Sequence, residues 1–379
     1  MTAPGRAGDA ARLESVEVRD YRNLTLVELD LPEHGIALVG DNGQGKTNFL
    51  EAIYYFQLLR SARGARDAEA VRFGSDGFSL RGSVRGSSPT EVAIGFDRST
   101  KRKRVRLDGV PMARLSDALG RLPAVMVSPA DSVLAGGEPS ARRRYIDVLL
   151  ALTSRRYLAA LQEYRTALLH RNAAIRDMAR RGRTDDGAVA VWEPALALHG
   201  GVLVTARREW VAEVAPRFRE LCAAIGERGA TDLRYEGSVA DAADPSGAIA
   251  ALLETRRATD LRRGATSVGA HRDTLVMTLD GRELRSVGSA GQQRTAAVAL
   301  RLLEAETYQR RGGSAPVFLM DDPFAELDAR RGAAIAAVLR DAAIGQTFLA
   351  VPKPSDIPDG FSELPRATVD AGTIELVGR

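Results

Sequence analysis

Gly40-Asp41-Asn42-Gly43-Gln44-Gly45-Lys46-Thr47 sets glycines, a lysine and a threonine at the G-x-x-x-x-G-K-T spacing. Glycines in such a loop let backbone N–H groups turn inward around phosphate oxygens, and a following helix adds its positive N-terminus. Lys46 would neutralise the β- and γ-phosphates, and the Thr47 hydroxyl would ligate Mg²⁺. Far along the chain, Val317-Phe318-Leu319-Met320-Asp321-Asp322 is an apolar run ending in two acids. Beside a phosphate loop, Asp321 would hold Mg²⁺ through water, and Asp322 would orient or deprotonate a water in line with the γ-phosphate. Two acids at a strand end can also merely cap a turn; the phosphate loop is what favours the chemical reading. A third group, Ser289-Ala290-Gly291-Gln292-Gln293-Arg294, stands before an amphipathic run. A serine and a glycine opening a helix make a second anion site without any lysine. Such a site is redundant within one subunit and becomes useful if it covers the γ-phosphate held by another.

The loop needs a strand to enter it and a helix to leave it. Ile36–Val39 and Asn48–Leu59 supply them. Short apolar or alternating runs predict further strands at Leu13–Val18, Thr25–Leu31, Phe78–Val84, Glu91–Phe96, Val105–Leu107 and Leu122–Val127. From Ser140 to about Arg263 the spacing turns helical, with Tyr157, Leu161, Tyr164, Leu168, Ile175 and Met178 on one face. Leu233–Val239 reads as an isolated strand within that block. Strands return at Thr274–Leu279, Pro316–Met320 and Thr347–Val351, with helices over about Gly291–Arg311 and Asp328–Asp341. The order predicts an α/β nucleotide-binding core split by a helical insertion. The expected divisions are a flexible 1–11, a first ATPase part at 12–135, a mainly helical lobe at 136–264 and a second ATPase part at 265–379.

The Ser289 group resembles the signature motif of ABC-type ATPases in the S-x-G-Q-Q-R form of the RecF family, bacterial recombinational repair proteins related to SMC heads. Gly40–Asn48 followed by Leu50-Glu51-Ala52-Ile53-Tyr54 is similar to that family's G-x-N-G-x-G-K-T-N-x-L-E-A-I. Ser128-Pro129-Ala130-Asp131, Arg142-Arg143-Arg144 and Gly269-Ala270-His271-Arg272-Asp273 match further landmarks, so the resemblance covers nearly the whole chain. It implies an ABC-type P-loop ATPase head: a mixed β-sheet lobe plus α/β core, with an inserted helical lobe. Arg22 and Asn23, in Arg19-Asp20-Tyr21-Arg22-Asn23-Leu24, would lie near the nucleotide. Asp321 to Asp328 resembles the second nucleotide motif running into the D-loop, where Asp328 would face a partner subunit. The implied nucleotide set is then Arg22, Asn23, Gly40, Asn42, Gly43, Gly45, Lys46, Thr47, Asn48, Ser289, Gly291, Gln292 and Asp328. The resemblance further implies an ATP-dependent head-to-tail dimer on duplex or gapped DNA, with RecO and RecR as partners and recombinase loading as the task. One departure stands out: Phe348-Leu349-Ala350-Val351-Pro352-Lys353 lacks the Thr-rich switch or the histidine expected after the last core strand.

Composition narrows the classes. The 379 residues carry a net charge of +4 and are 27% charged, 45% hydrophobic and 5% aromatic, which predicts a soluble chain of more than one domain. No unbroken run of 18 apolar residues occurs, and nothing near Met1 resembles a signal peptide. The single cysteine, Cys222, excludes an internal disulfide and is expected in the core. The expected compartment is the cytoplasm. Residues 142 to 183 hold eleven arginines against Asp147, Glu163 and Asp177, a local +8. Six more basic residues lie between Arg98 and Arg106. The candidate DNA contacts are Lys101, Arg102, Lys103, Arg104, Arg142, Arg143, Arg144, Arg176 and Arg180. Few aromatics interleave them, so duplex backbone recognition is favoured over a stacking platform. A solvated charged face is the plain alternative for any one arginine. Other functional classes stay open: the energising subunit of an ABC transporter, which should carry a switch histidine, or a small-molecule P-loop kinase or GTPase, the latter without its N-K-x-D motif.

Overall fold

The computed structural model describes residues 11–86, 90–181, 186–325, 327–342 and 345–377. The expected flexible start (except Ala11), Arg183 and Glu326 lie outside the described residues. The chain runs β1 (Arg12–Tyr21), β2 (Leu24–Asp30), β3 (Gly35–Val39), α1 (Lys46–Leu58), α2 (Asp67–Ala70), β4 (Gly77–Arg85), β5 (Thr90–Asp97), β6 (Arg102–Leu107), β7 (Val110–Pro111) and β8 (Ala124–Val127). Helices follow: α3 (Ser132–Gly136), α4 (Pro139–Thr153), α5 (Arg155–Arg181), α6 (Gly187–Ala190) and α7 (Glu193–Ala224). Then come β9 (Thr231–Glu236), α8 (Pro245–Arg263), β10 (Thr274–Leu279), β11 (Arg282–Glu283), α9 (Leu284–Val287) and α10 (Ala290–Gly312). The chain closes with β12 (Val317–Asp321), α11 (Ala329–Asp341), β13 (Thr347–Val351), β14 (Arg366–Asp370) and β15 (Thr373–Leu376).

Two compact units result. The first comprises Met1–Asp131, Ala224–Gly226 and Val298–Arg379; the second comprises Ser132–Ala223 and Glu227–Ala297. The second unit therefore continues past the expected boundary at 264. The reason is pairing: β10 lies antiparallel to β9 from Thr274↔Glu236 to Leu279↔Thr231, which ties residues after 264 to the insertion. For the same reason the strand expected to be isolated at Leu233–Val239 belongs to a three-stranded sheet ordered β11-β10-β9.

The first unit contains two six-stranded sheets. One is ordered β2-β1-β4-β5-β6-β7 and is antiparallel; its strands alternate, placing Val16 and Val18 or Val92, Ile94 and Phe96 inward, and a register shift between Leu13 and Ser15 brings Leu13 into the core as well. The other is ordered β15-β14-β3-β13-β12-β8. Strands β3, β13, β12 and the edge strand β8 are parallel and read as continuous apolar runs because neither face meets water. β14 and β15 are additional to the strands expected from sequence. β14 pairs parallel with β3 and antiparallel with β15, so β3 has neighbours on both sides.

In the second unit, α5 and α7 carry the apolar stripe. Tyr157, Leu161, Tyr164, Ile175 and Met178 are buried as their spacing requires, and Trp210 and Cys222 are also buried. Residues Gly187–Ala224 are long and apolar enough by composition to cross a membrane, with a mean hydropathy of 1.4 over the best window. Yet Arg207 lies in that stretch and is 2% exposed, held by Asp147 at 2.7 Å, the Tyr157 hydroxyl at 2.9 Å and the Ala270 carbonyl at 2.6 Å. A buried charge satisfied by its own unit marks a core helix.

Candidate nucleotide site

Residues 40–47 leave β3 and enter α1 through two glycines in the left-handed region, Gly43 (φ 84°) and Gly45 (φ 123°). A side chain at Gly45 would meet the Asn23 amide at 3.0 Å, so glycine is required both for its conformation and for the approach of Asn23. Asn23 braces the loop from outside: its Nδ2 donates to the Gln44 carbonyl at 3.1 Å and the Gly43 carbonyl at 3.4 Å, and its Oδ1 accepts from Asn48 Nδ2 at 2.8 Å. On the far side, the C-terminal hairpin holds Gln44. Ala371 N donates to Gln44 Oε1 at 2.6 Å, and Gly372 N donates to the Gln44 carbonyl at 2.8 Å.

A cavity of about 360 Å³ opens beside this loop. Asn42, Gly43, Gly45, Lys46, Thr47 and Asn48 form one wall; Pro129, Asp321, Asp322 and Arg63 form the rest. Lys46 is 6% exposed and its Nζ donates to the Gly40 carbonyl and, at 2.8 Å, to the Asp41 carbonyl. Burial pushes its pKa down while Asp321, Asp322 and Asp41 pull it back up. Thr47 Oγ1 donates to Asp321 Oδ1 at 2.8 Å, and burial raises the Asp321 pKa against the lowering effects of Thr47, Arg63 and Lys46. Asp322 sits at φ 46°, an uncommon conformation for a non-glycine residue, with its N–H donating to the Ala350 carbonyl at 2.9 Å. That turn takes the chain off β12 while leaving Asp322 on the cavity wall.

A hydroxyl and a carboxylate within hydrogen-bonding reach are hard oxygen donors that fit Mg²⁺, which takes one or two protein ligands and completes its shell with water and phosphate oxygens. Among the described residues no cluster of three or more His, Cys, Asp or Glu side chains could hold a metal, as expected of such a sparse site. Thr47 and Asp321 would hold the ion, whose charge would offset that of the phosphates.

Sequence reasoning overlooked Arg63. It lines the cavity, donates to Asn48 Oδ1 at 2.9 Å and lies 3.5 Å from Glu51. Nothing in its local pattern marks it; only the path of the chain after α1 brings it back. Arg22, expected near the nucleotide, does not line the cavity. Its guanidinium makes two 3.1 Å bonds to the fully buried Glu51 and one to the Glu69 carbonyl, so that Arg22 and Arg63 together balance a carboxylate removed from water. Asp328 caps α11, accepting from Arg331 N at 2.9 Å.

The signature residues lie in the second unit. Ser289 Oγ accepts from Gln292 N at 3.3 Å, and Ser289 N donates to Gln292 Oε1 at 2.9 Å, a reciprocal capping box at the start of α10. Ser289 is exposed and Gly291 half-buried, so the helix N-terminus faces solvent.

The expected DNA contacts divide by burial. Lys101, Arg102, Arg104, Arg144, Arg176 and Arg180 are exposed, and Arg143 is half-buried with a 3.1 Å bond to the Asp273 carbonyl. Two expectations fail. Arg142 is 2% exposed, bound to the Gly137 carbonyl at 2.9 Å and near Glu283 at 3.8 Å. Lys103 points inward, 2.8 Å from Asp67 and over the Tyr55 ring. Inside the arginine-rich helical block, Arg171 is also fully buried, at 2.7 Å from Asp260 and 2.9 Å from Glu193, so part of the local +8 is neutralised internally.

Comparison with known proteins bears on all of this. The family model described as the RecF/RecN/SMC N-terminal domain matches residues 12–353. "DNA replication and repair protein RecF" of Acidothermus cellulolyticus is 38% identical over 84% of this chain and 88% of its own length. Its counterpart in Phocaeicola vulgatus is 33% identical over 89% and 90%. The chain belongs to the RecF family. A solved RecF structure, described as the recombination mediator protein RecF-ATP in the RecFOR pathway, superposes with a TM-score of 0.89 at 26% identity, over 98% of this chain and 99% of that one. The Smc head of Pyrococcus furiosus, at TM-score 0.56 and 14% identity, shares the fold alone. RecF membership and the ABC-type head fold favour the repair reading over a transporter subunit or a P-loop kinase.

Proposed function

We propose that this chain is an ATP-dependent DNA-binding repair protein that dimerises on ATP. Two copies join head to tail, the phosphate loop of one facing Ser289 of the other, and close on duplex or gapped DNA. The observation that carries the reading is the cavity between residues 40–47 and β12. It supplies Lys46 for the phosphates, Thr47 and Asp321 for Mg²⁺, and Asp322 on the same wall for the attacking water. The signature has no lysine and caps itself, which suits a second, separately delivered anion site.

In this reading ATP hydrolysis is slow, depends on DNA and dimerisation, and releases the clamp. Asp322 holds the water, and Ser289 from the second copy completes the phosphate shell. The clamp marks single-strand gaps in the cytoplasm for recombinase loading, with RecO and RecR as partners. Sedimentation of the full chain with and without Mg²⁺-ATP tests it. The expected result is a monomer that becomes a dimer only with nucleotide; a chain that stays monomeric at saturating ATP overturns the composite site.

A further inference from the structure

Strand β6 sends its side chains to two sides. Arg102, Arg104 and Arg106 lie on the open face of the antiparallel sheet, while Lys103 turns inward with Val105 and Leu107. An inward lysine takes its charge away from water and needs partners there. It finds them at the two ends of one segment. Lys103 Nζ donates to the Leu59 carbonyl at 2.5 Å, just past the end of α1, and lies 2.8 Å from Asp67 Oδ2, at the start of α2. The ammonium also stands over the Tyr55 ring, 5.1 Å from its centroid, and the Tyr55 hydroxyl donates to Asp67 Oδ1 at 2.5 Å. A compact ammonium with three donors serves two acceptors approaching from different directions more readily than a planar guanidinium does.

Between those ends runs the loop 59–67, with Arg63 at its midpoint. Leu59 ends α1 in the left-handed region (φ 53°), its N–H donating to the Tyr55 carbonyl at 2.8 Å. The first half of the loop is held from within: Gly64 N donates to the Ser61 carbonyl at 3.2 Å, Ala65 N to Ser61 Oγ at 3.3 Å, and Ser61 Oγ to the buried Glu51. The second half is returned to α1 by Asp67, through Tyr55. Closing both ends at one ammonium narrows the positions open to the middle of the loop. Arg63 then meets Asn48 Oδ1 at 2.9 Å and Glu51 at 3.5 Å, and lines the cavity together with Lys46 and Thr47.

We infer that Lys103 is a positioning residue for the nucleotide site: it clasps both ends of loop 59–67 and so keeps Arg63 on the cavity wall, where the guanidinium faces the phosphates of bound ATP. The inference rests on the nucleotide reading above and adds to it a side chain that lies outside the cavity lining.

A fluorescent ATP analogue is titrated into the full chain with Mg²⁺. Arg63→Ala is expected to raise its Kd about tenfold, by loss of a charge-assisted contact. Lys103→Met, which keeps the length of the side chain and removes its charge, is expected to raise the Kd about fivefold, and to add nothing in the Arg63→Ala background. Asp67→Asn opens the same clasp from its other partner and is expected to match Lys103→Met in both backgrounds, which keeps the inference testable if Lys103→Met does not fold. Losses that multiply in the double variants, as a general loosening of the fold would give, overturn the inference. So does a wild-type Kd in Lys103→Met and Asp67→Asn, or in Arg63→Ala. A wild-type chain that binds no ATP overturns the underlying reading instead.

Discussion

The Thr47 hydroxyl donates to the Asp321 carboxylate across 2.8 Å, joining the first turn of α1 to the last residue of β12 although 274 positions separate them. Both atoms belong to the expected Mg²⁺ set, and each holds the other in place. Thr47→Ala and Asp321→Asn should therefore act on the same step. Each is expected to lower affinity for ATP at least tenfold in the presence of Mg²⁺ and to change it little in EDTA. Equal losses with and without the metal, in a fluorescent-nucleotide titration, would contradict the assignment.

Lys46→Ala should abolish nucleotide-dependent dimerisation, since no other lysine lines the cavity. Asp322→Asn should do the reverse and accumulate an ATP-bound dimer whose turnover falls by about 10² or more. Sedimentation together with phosphate release separates the two behaviours.

Asn23 makes no contact with the cavity but restrains its wall. Asn23→Ala removes two bonds to the loop carbonyls and one to Asn48, and is expected to raise the nucleotide Kd about fivefold to tenfold while costing about 1–2 kcal/mol of stability. A Kd shift without any change in thermal unfolding would place Asn23 on the nucleotide itself.

Arginines of similar sequence context should differ sharply. Arg171→Ala removes the counter-charge of the fully buried Asp260, while Glu193 keeps Arg257, and is expected to destabilise by about 3–5 kcal/mol. Arg104→Ala, on the open sheet face, is expected to stay within about 0.5 kcal/mol of wild type. Urea unfolding of the two variants measures both.

His271 is half-buried, with Nδ1 2.8 Å from the Tyr164 hydroxyl and Nε2 3.1 Å from the Thr266 carbonyl. Burial, helped by Arg272 and Arg143, pushes its pKa down to about 4. The unfolded chain binds a proton that the folded one refuses, so this contribution is intact above about pH 6.5 and is lost as pH falls towards about 4. The loss is on the order of 3 kcal/mol. His271→Gln should flatten the stability profile over that window; an unchanged slope would show that other groups set it.

The nucleotide loop, its strand and helix, and the acid-ended strand were legible because each is a local pattern: glycine spacing, an apolar run, a helix start. Burial of charge was not. A count of arginines in residues 142–183 cannot see that Arg142 and Arg171 have partners at Glu283, Glu193 and Asp260, all distant in sequence. Lys103 was legible in principle. The alternation Arg102-Lys103-Arg104-Val105-Arg106-Leu107 puts it on the side of Val105 and Leu107, and charge grouping masked that signal. β14 and β15 escaped because their alternation is short and polar, and only pairing with β3 makes them strands.

The position of β3 also has a consequence for the order of assembly on the ribosome. Its partners β13 and β14 emerge about 300 residues after it, and Gln44 waits still longer for Ala371 and Gly372. At translation speeds of about 5–20 residues per second, the phosphate loop spends roughly 15 to 60 seconds without its sheet. The loop therefore gains its sheet neighbours and the clasp on Gln44 only after residue 372 has been made, and removal of Ala371 and Gly372 is expected to weaken a site encoded at residues 40–47.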